Sequence, residues 1–210
     1  MNQKNGKNSL GLDICFEEHD NPIDLFKNWF KKAEETEIND PNAVALGTAD
    51  QKKQPSVRMV LMKGLSDEGF VFYTNFNSKK GSDLKINQQA SMCFHWKSLR
   101  RQVRVIVKVE QVTEKEANDY FNSRPYKNRV SAWASSQSET LESRDVFLDK
   151  IKEFEKKYPD QNKVPRPPHW SGWRVLPKEV EFWLDGEGRI HERLNYINNN
   201  GGWKKEILYP

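Results

Sequence analysis

Only two cysteines, Cys15 and Cys93, occur in the 210 residues. They form no Cys-x-x-Cys pair and no metal-ligand spacing, so neither zinc nor dithiol redox chemistry is indicated. One disulfide and a pair of buried thiols both remain open, and a cytoplasmic setting favours the thiols. The chain has no apolar run of about 18 residues, so no helical membrane span is expected. Met1 to Asp13 is polar and holds no apolar signal core, which predicts a cytoplasmic protein. Charge of one sign is scarcely in excess: 34 basic against 30 acidic residues leave +4. The basic residues run at most in pairs, such as Lys79-Lys80 and Arg100-Arg101, so no nucleic-acid partner is expected. A glycine-rich strand-to-helix fingerprint is missing, as is a Gly-x-Ser-x-Gly elbow. Rossmann, P-loop and serine-hydrolase sites are therefore disfavoured. His19, His95 and His169 lack partner spacing with carboxylates or cysteines, so no metal site is expected.

What is present is a strand-rich pattern. Residues 1–20, rich in Asn, Lys and Gly, read as a flexible arm, and residues 21–210 as a single domain. Asn21-Pro22 reads as N-cap and first helical residue, with Phe26, Trp29, Phe30 and Ala33 on one face to about residue 37. Strands are expected at 43–49, 56–63, 69–74 and 90–96, and a helix capped by Ser78 runs to Asn87. In the next strand Val103, Val105, Val107 and Val109 alternate with Arg104, Ile106 and Lys108, a period of two. Thr113 and Glu116 form a capping box; further helices are expected near 126–133 and after Ser143. A proline-bearing crossing loop (159–172) leads to strands at 173–176, 180–184, 189–196 and 203–208. Short turns between sequential strands predict a mainly β, antiparallel fold with α additions.

Several constellations carry possible chemistry. Asp185-Gly186-Glu187-Gly188 reads as a hairpin turn. A strand from Arg189 projects Arg189, His191 and Arg193 from one face, with Ile190 and Glu192 on the other. That face is either solvated or, with Trp183 beside it, a wall for an anionic aromatic ligand. Arg58 and Lys63, an odd number of residues apart, face opposite sides of an ideal strand unless a bulge intervenes. Tyr73, Thr74, Ser78, Lys79 and Lys80 gather hydroxyl, ammonium and helix N-terminal groups, which suit a phosphate or a capped solvated helix equally. Tyr120 and Arg124, at i and i+4, make either a second phosphate clamp or a simple packing pair. Gln102 reads as an edge-strand residue or a partner for an amide-like ring edge. Gln137-Ser138 lies in a Ser-rich linker.

Taken in order, these motifs resemble one family. Asp40-Pro41-Asn42-Ala43, Arg58 to Lys63, Phe72 to Asn75, Ser78-Lys79-Lys80, Arg101-Gln102-Val103, Tyr120 to Pro125, Ala132-Trp133, Gln137-Ser138, Pro167 to Gly172 and Glu181 to Arg193 follow the order of the pyridoxamine 5′-phosphate oxidases. The resemblance runs from about Asn21 to Pro210, with a dimerisation and substrate segment at about 165–210. It implies an FMN-binding split β-barrel homodimer with FMN at the subunit interface. It implies FMN contacts from Arg58, Lys63, Tyr73, Thr74, Lys79, Lys80, Gln102, Gln137, Ser138, Trp183 and Arg193. Substrate contacts fall to Lys63, Tyr120, Arg124, Asn128, Arg189 and His191, with Arg189 and His191 as the catalytic pair for orientation and proton handling. The implied reaction converts pyridoxamine and pyridoxine 5′-phosphates to pyridoxal 5′-phosphate, with dioxygen as acceptor and hydrogen peroxide as product. Ammonia leaves from the amine. The alternatives are a related FMN oxidase on another aromatic substrate, of phenazine type, and a non-catalytic FMN or pyridoxal-phosphate binder. Asn128 departs from the family's Ser, the first 20 residues lack its Arg-rich segment, and Ile207-Leu208-Tyr209-Pro210 replaces Arg-Leu-x-Pro.

Overall fold

A computed structural model describes Phe16, residues 19–199 and residues 201–210. Helix α1 (Pro22–Thr36) begins where the Asn21 side chain accepts from the Ile23 amide at 2.9 Å, with proline in its first turn. Its apolar face lies on the sheet. Phe26 meets Phe70 and Phe94 edge-on at 4.8 and 4.9 Å, and Trp29 meets Phe182 at 5.1 Å.

Among the described residues the sheet has nine strands, and every pairing is antiparallel. They are β1 (Ala43–Ala49), β2 (Pro55–Leu61), β3 (Gly64–Ser66), β4 (Gly69–Asn75), β5 (Gln89–Trp96), β6 (Arg101–Gln111), β7 (Trp170–Leu184), β8 (Glu192–Asn198) and β9 (Trp203–Ile207). The order is β2-β1-β5-β6-β7-β4-β3, with β8 on β7 and β9 on β8. The period of two in β6 is realised: Val103, Val105, Val107 and Val109 are buried while Arg104, Ile106 and Lys108 are exposed.

Helix α2 (Lys79–Ile86) follows β4. Helices α3 (Glu114–Ser123), α4 (Tyr126–Ala134) and α5 (Arg144–Lys157) fill the connection from β6 to β7. They enclose a second core of Phe121, Val130, Val164 and Trp170. Ser78, Thr113 with Glu116, and Ser143 cap α2, α3 and α5 as expected.

Three expectations are corrected. Strands 173–176 and 180–184 are one strand, β7, because the register shift opposite Ile106 and Val107 absorbs Pro177 without ending the ladder. No strand starts at Arg189: Gly188 (φ 62°) and Arg189 (φ 65°) are both left-handed, which a strand cannot hold, so β8 begins at Glu192. Gln102 sits on β6, an interior strand, not on an edge. Most of the expected arm, with Cys15, lies outside the described residues. Phe16 nevertheless stacks on Trp29, and the His19 carbonyl accepts from Tyr196. Cys93 is free and half-buried.

Candidate active site

A cavity of about 630 Å³ opens between β4, the end of β2 and the α3–α4 corner. Of the residues singled out in the sequence, Lys63, Tyr73, Thr74, Lys80, Tyr120, Arg124, Asn128 and Gln137 line it. They come from separate segments and meet only in the folded chain.

One end is built on the step from β4 into α2. Lys80 Nζ donates to Thr74 Oγ1 (3.0 Å), Ser78 Oγ (3.1 Å) and Gln137 Oε1 (2.9 Å), none of them a carboxylate. Burial, followed by the repulsion of Arg58, pushes the Lys80 ammonium down to about 8. Behind it lies Asp83, whose side chain is 3 % exposed. Asp83 accepts from Thr48 and Lys79, each at 2.7 Å. Burial alone drives this carboxyl up, but the Lys79 and Thr48 hydrogen bonds outweigh it and hold it below the usual range. Lys79 is thus turned to Asp83 and Asp50 and does not line the cavity. Arg58 also stands behind the wall, on the Leu46 carbonyl, Thr48 and Ser56, 4.0 Å from Asp83. Three cations, Arg58, Lys79 and Lys80, against the two carboxylates Asp83 and Asp50 leave positive charge in excess, the electrostatics of an anion site.

The other end lies under α3. Tyr120 stacks on Tyr73 at 4.0 Å, and Tyr73 on Trp170 at 5.4 Å, all nearly parallel. Arg124 caps α3 and lies 4.7 Å over the Trp170 ring. Its Nη1 is buried without a hydrogen-bond partner, and burial pushes its pKa down. An orphaned guanidinium nitrogen on a cavity wall calls for an acceptor from outside the chain. Asn128, one turn into α4, faces the same space. Lys63 reaches it from beyond β2, since that strand stops at Leu61 and the Lys63 amide turns to the Val71 carbonyl (2.8 Å). Arg58 and Lys63 therefore do not lie on one ideal strand, although the two do face different surroundings.

The remaining residues lie outside this cavity, most of them on one part of the sheet. Direct cross-strand pairing aligns His95 with Gln102, Gln102 with Trp183, and Trp183 with Arg193, one row over β5 to β8. Arg193 is held by Glu181 Oε1 (2.8 Å) and the Tyr209 carbonyl (2.9 Å), and Arg104 pairs with the other Glu181 oxygen at 2.7 Å. His191 packs on Trp183 with ring centroids 4.6 Å apart. Arg189 lies in the turn before β8, so Arg189, His191 and Arg193 do not form a single strand face. Ser138, with φ 79°, borders the cavity's neighbour beside α5.

Sequence reasoning missed Trp170, Asn75, Ser135, Phe147 and the outward Met59 and Leu61, all of which line the cavity. Trp170 sits inside Pro167 to Gly172, a motif with no local chemical signature of its own.

Among the described residues no cluster of His, Cys, Asp and Glu is placed to hold a metal, and no helix is long and apolar enough to cross a membrane. The sequence pattern described as pyridoxamine 5′-phosphate oxidase matches residues 30–158. The pattern of the pyridoxine 5′-phosphate oxidase C-terminal dimerisation region matches residues 170–210. The pyridoxine/pyridoxamine 5′-phosphate oxidase of Pelagibacter ubique is 56% identical over 207 residues, covering 98% of this chain and 100% of that one. That of Sinorhizobium fredii is 50% identical over 93% of this chain and 95% of its own. PhzG from Burkholderia lata, solved with tetrahydrophenazine-1-carboxylic acid, superposes with a TM-score of 0.87 at 28% identity, covering 93% of this chain and 96% of that one. With both parts of the pattern present in order and half of its residues shared with such relatives, the chain belongs to the pyridoxamine 5′-phosphate oxidase family of oxidoreductases.

Proposed function

We propose that the protein oxidises pyridoxamine and pyridoxine 5′-phosphates to pyridoxal 5′-phosphate, in the cytoplasm, as an FMN-dependent homodimer that uses dioxygen. The carrying observation is the cavity with cations at two separate ends, Lys80 at one and Arg124 with Lys63 at the other, and no carboxylate among the described residues that line it. Two anionic groups are wanted, with flat aromatic surface between them. A flavin phosphate fits the Lys80 end, where Thr74, Gln137 and the α2 N-terminus stand, with Arg58 and Lys79 adding charge from behind. A substrate phosphate fits Arg124, Tyr120, Asn128 and Lys63.

Thr74, Lys80 and Gln137, with Arg58 and Lys79 behind them, would hold FMN, which would supply a two-electron acceptor for oxidation at the substrate C4′ carbon and a route for those electrons to dioxygen. The chain's own part is to bind, orient and shield. Arg124 and Lys63 fix the phosphate, and Tyr120 and Trp170 exclude water from one side of the cavity. Gln102, Trp183 and Arg193 complete the flavin side, and Arg189 with His191 orient the substrate and handle its proton. These five lie outside the cavity of their own chain, so they serve the cavity of a second subunit. Val57, Met59 and Leu61, exposed at 71, 63 and 37 % along β2, support a covered face beside the cavity.

The B6 reading is favoured over a phenazine-type oxidase because relatives at about half identity carry the B6 name, whereas PhzG stands at 28%. The test is the absorption spectrum of the purified protein. A flavin spectrum bleached anaerobically by pyridoxamine 5′-phosphate, with pyridoxal 5′-phosphate and peroxide formed in air, is expected. A spectrum unchanged by that substrate overturns the reading, and binding without peroxide favours the non-catalytic binder.

A further inference from the structure

The connection from β7 to β8 holds a chain of charged contacts that ends on His191. Its Nδ1 lies 3.1 Å from Asp185 Oδ1, and the Gly186 N–H is directed at the same nitrogen from 3.3 Å. The other Asp185 oxygen accepts two N–H groups of Arg100, from Nε at 2.8 Å and from Nη2. The backbone ties the same two residues, since the Asp185 amide donates to the Arg100 carbonyl at 3.1 Å. These Arg100 bonds are the main reason that Asp185 stays below the usual carboxylate range. A side chain at Gly186 would collide with the Ile190 carbonyl, so only glycine lets the chain fold back and bring His191 onto Asp185.

The proton on His191 follows from this geometry. A bare Nδ1 would set its lone pair against a carboxylate oxygen at hydrogen-bonding distance, which is repulsive. Two contacts compete for this nitrogen: the Gly186 N–H needs it bare and the Asp185 carboxylate needs a proton on it, and the shorter, charge-assisted contact to Asp185 decides for the proton. Trp183 covers the imidazole on one side. The neutral ring then keeps Nε2 as its acceptor.

We propose that Asp185, held by Arg100, is a positioning residue that fixes His191 in its Nδ1–H tautomer and presents Nε2 as the free acceptor toward bound substrate. Its catalytic consequence rests on the oxidase reading; the tautomer does not. Arg100 has only donors and so claims an oxygen. In Asp185→Asn the amide oxygen therefore stays on Arg100 and the NH₂ faces Nδ1. Nδ1 must then accept, and the ring proton moves to Nε2.

The test is an imidazole ¹⁵N spectrum of the full-length protein in mildly alkaline buffer, where an ordinary imidazole is neutral. The chain has four histidines, so loss of one pair of signals in His191→Gln assigns the site. The unmodified protein is expected to show protonated Nδ1 and bare Nε2. Asp185→Asn is expected to reverse them and to lower kcat by about tenfold or more, with flavin content unchanged. Arg100→Ala/Asp185→Asn frees the amide to turn and should recover the Nδ1–H form and part of kcat. A proton on Nε2 in the unmodified protein overturns the proposal. So does an Asp185→Asn protein in which the proton moves while kcat stays at the parent value, or in which neither changes. The spectrum reads the pairing whether or not the protein turns over a vitamer, so failure of the pairing and failure of the oxidase reading are separate results.

Discussion

Lys80 is a cation whose partners are a threonine, a serine and a glutamine, and burial, followed by the repulsion of Arg58, brings its pKa down to about 8. A phosphate dianion placed beside it favours the charged form and raises that value. Binding therefore takes up a proton once the free protein has begun to lose it. FMN affinity should be level below about 8 and fall above it, by at most about tenfold per pH unit for one linked proton. Fluorescence titrations of FMN from neutral pH upward check this, with Lys80→Arg as control, because a guanidinium keeps its charge throughout. If the two proteins show the same pH dependence, Lys80 is not the linked group. At the other end of the cavity, Arg124→Ala removes a charge-assisted donor worth about 1.5–3 kcal/mol. The expected loss in kcat/KM for pyridoxamine 5′-phosphate is about ten- to a hundredfold, at ~1.4 kcal/mol per factor of ten. Unphosphorylated pyridoxamine should be little affected. Equal losses on both substrates would remove Arg124 from the phosphate site.

At the scale of elements, what places α3 matters as much as what α3 carries. Arg166, whose side chain is 10 % exposed, donates to Asn118 (2.7 Å) and Glu114 on α3 and to the Trp170 carbonyl (2.5 Å) at the start of β7. One guanidinium thus sets Tyr120 and Arg124 against Trp170. Arg174 adds a second tie, pairing with the capping-box Glu116 and with Glu68 at 3.3 Å. Arg166→Ala strands a carbonyl and releases the helix. It should cost about 1–3 kcal/mol of stability and raise KM for the phosphorylated substrate more than it lowers kcat. A calorimetric melt and steady-state kinetics read the two effects, and an unchanged KM would show that the tie does not position the site. Much of this scale was legible beforehand. Caps at Asn21, Ser78, Thr113 and Ser143 are local hydrogen bonds, and local chemistry reads directly from neighbouring residues. The same is true of β6, where alternation and burial coincide. The β7–β8 connection is not legible in this way. Alternation was extended through Gly188 and Arg189, but successive left-handed residues break a strand, and the pull of Arg100 and His191 on Asp185 comes from distant sequence. Pro177 misled in the opposite sense, since the bulge opposite Ile106 keeps β7 whole.

For the whole molecule, residue types at the site were readable while their arrangement in space was not. Lys80, Tyr120, Arg124 and Gln137 share a cavity, whereas Gln102, Trp183, His191 and Arg193 lie on another part of the sheet. No one-dimensional pattern separates these sets, because the division is made by strand order, and in the proposed dimer a second chain brings them together again. The matched dimerisation region at 170–210 contains Trp183, His191 and Arg193, so each complete site should draw its cavity from one subunit and its aromatic–histidine wall from the other. That arrangement has an arithmetic consequence. Arg124→Ala disables the cavity half, and His191→Ala disables the wall half. In a mixed dimer one site then carries both defects and the other carries none. Random exchange of equal amounts makes about half the dimers mixed, so two nearly inactive proteins should together recover about a quarter of the parent activity per site. Unfolding and refolding the two proteins together, against each refolded alone, measures this. Recovery near that level requires a shared site. If activity stays at the level of the separate variants while tagged pull-down shows that mixed dimers have formed, each subunit works with its own wall, and the proposed division of the site between two chains is wrong.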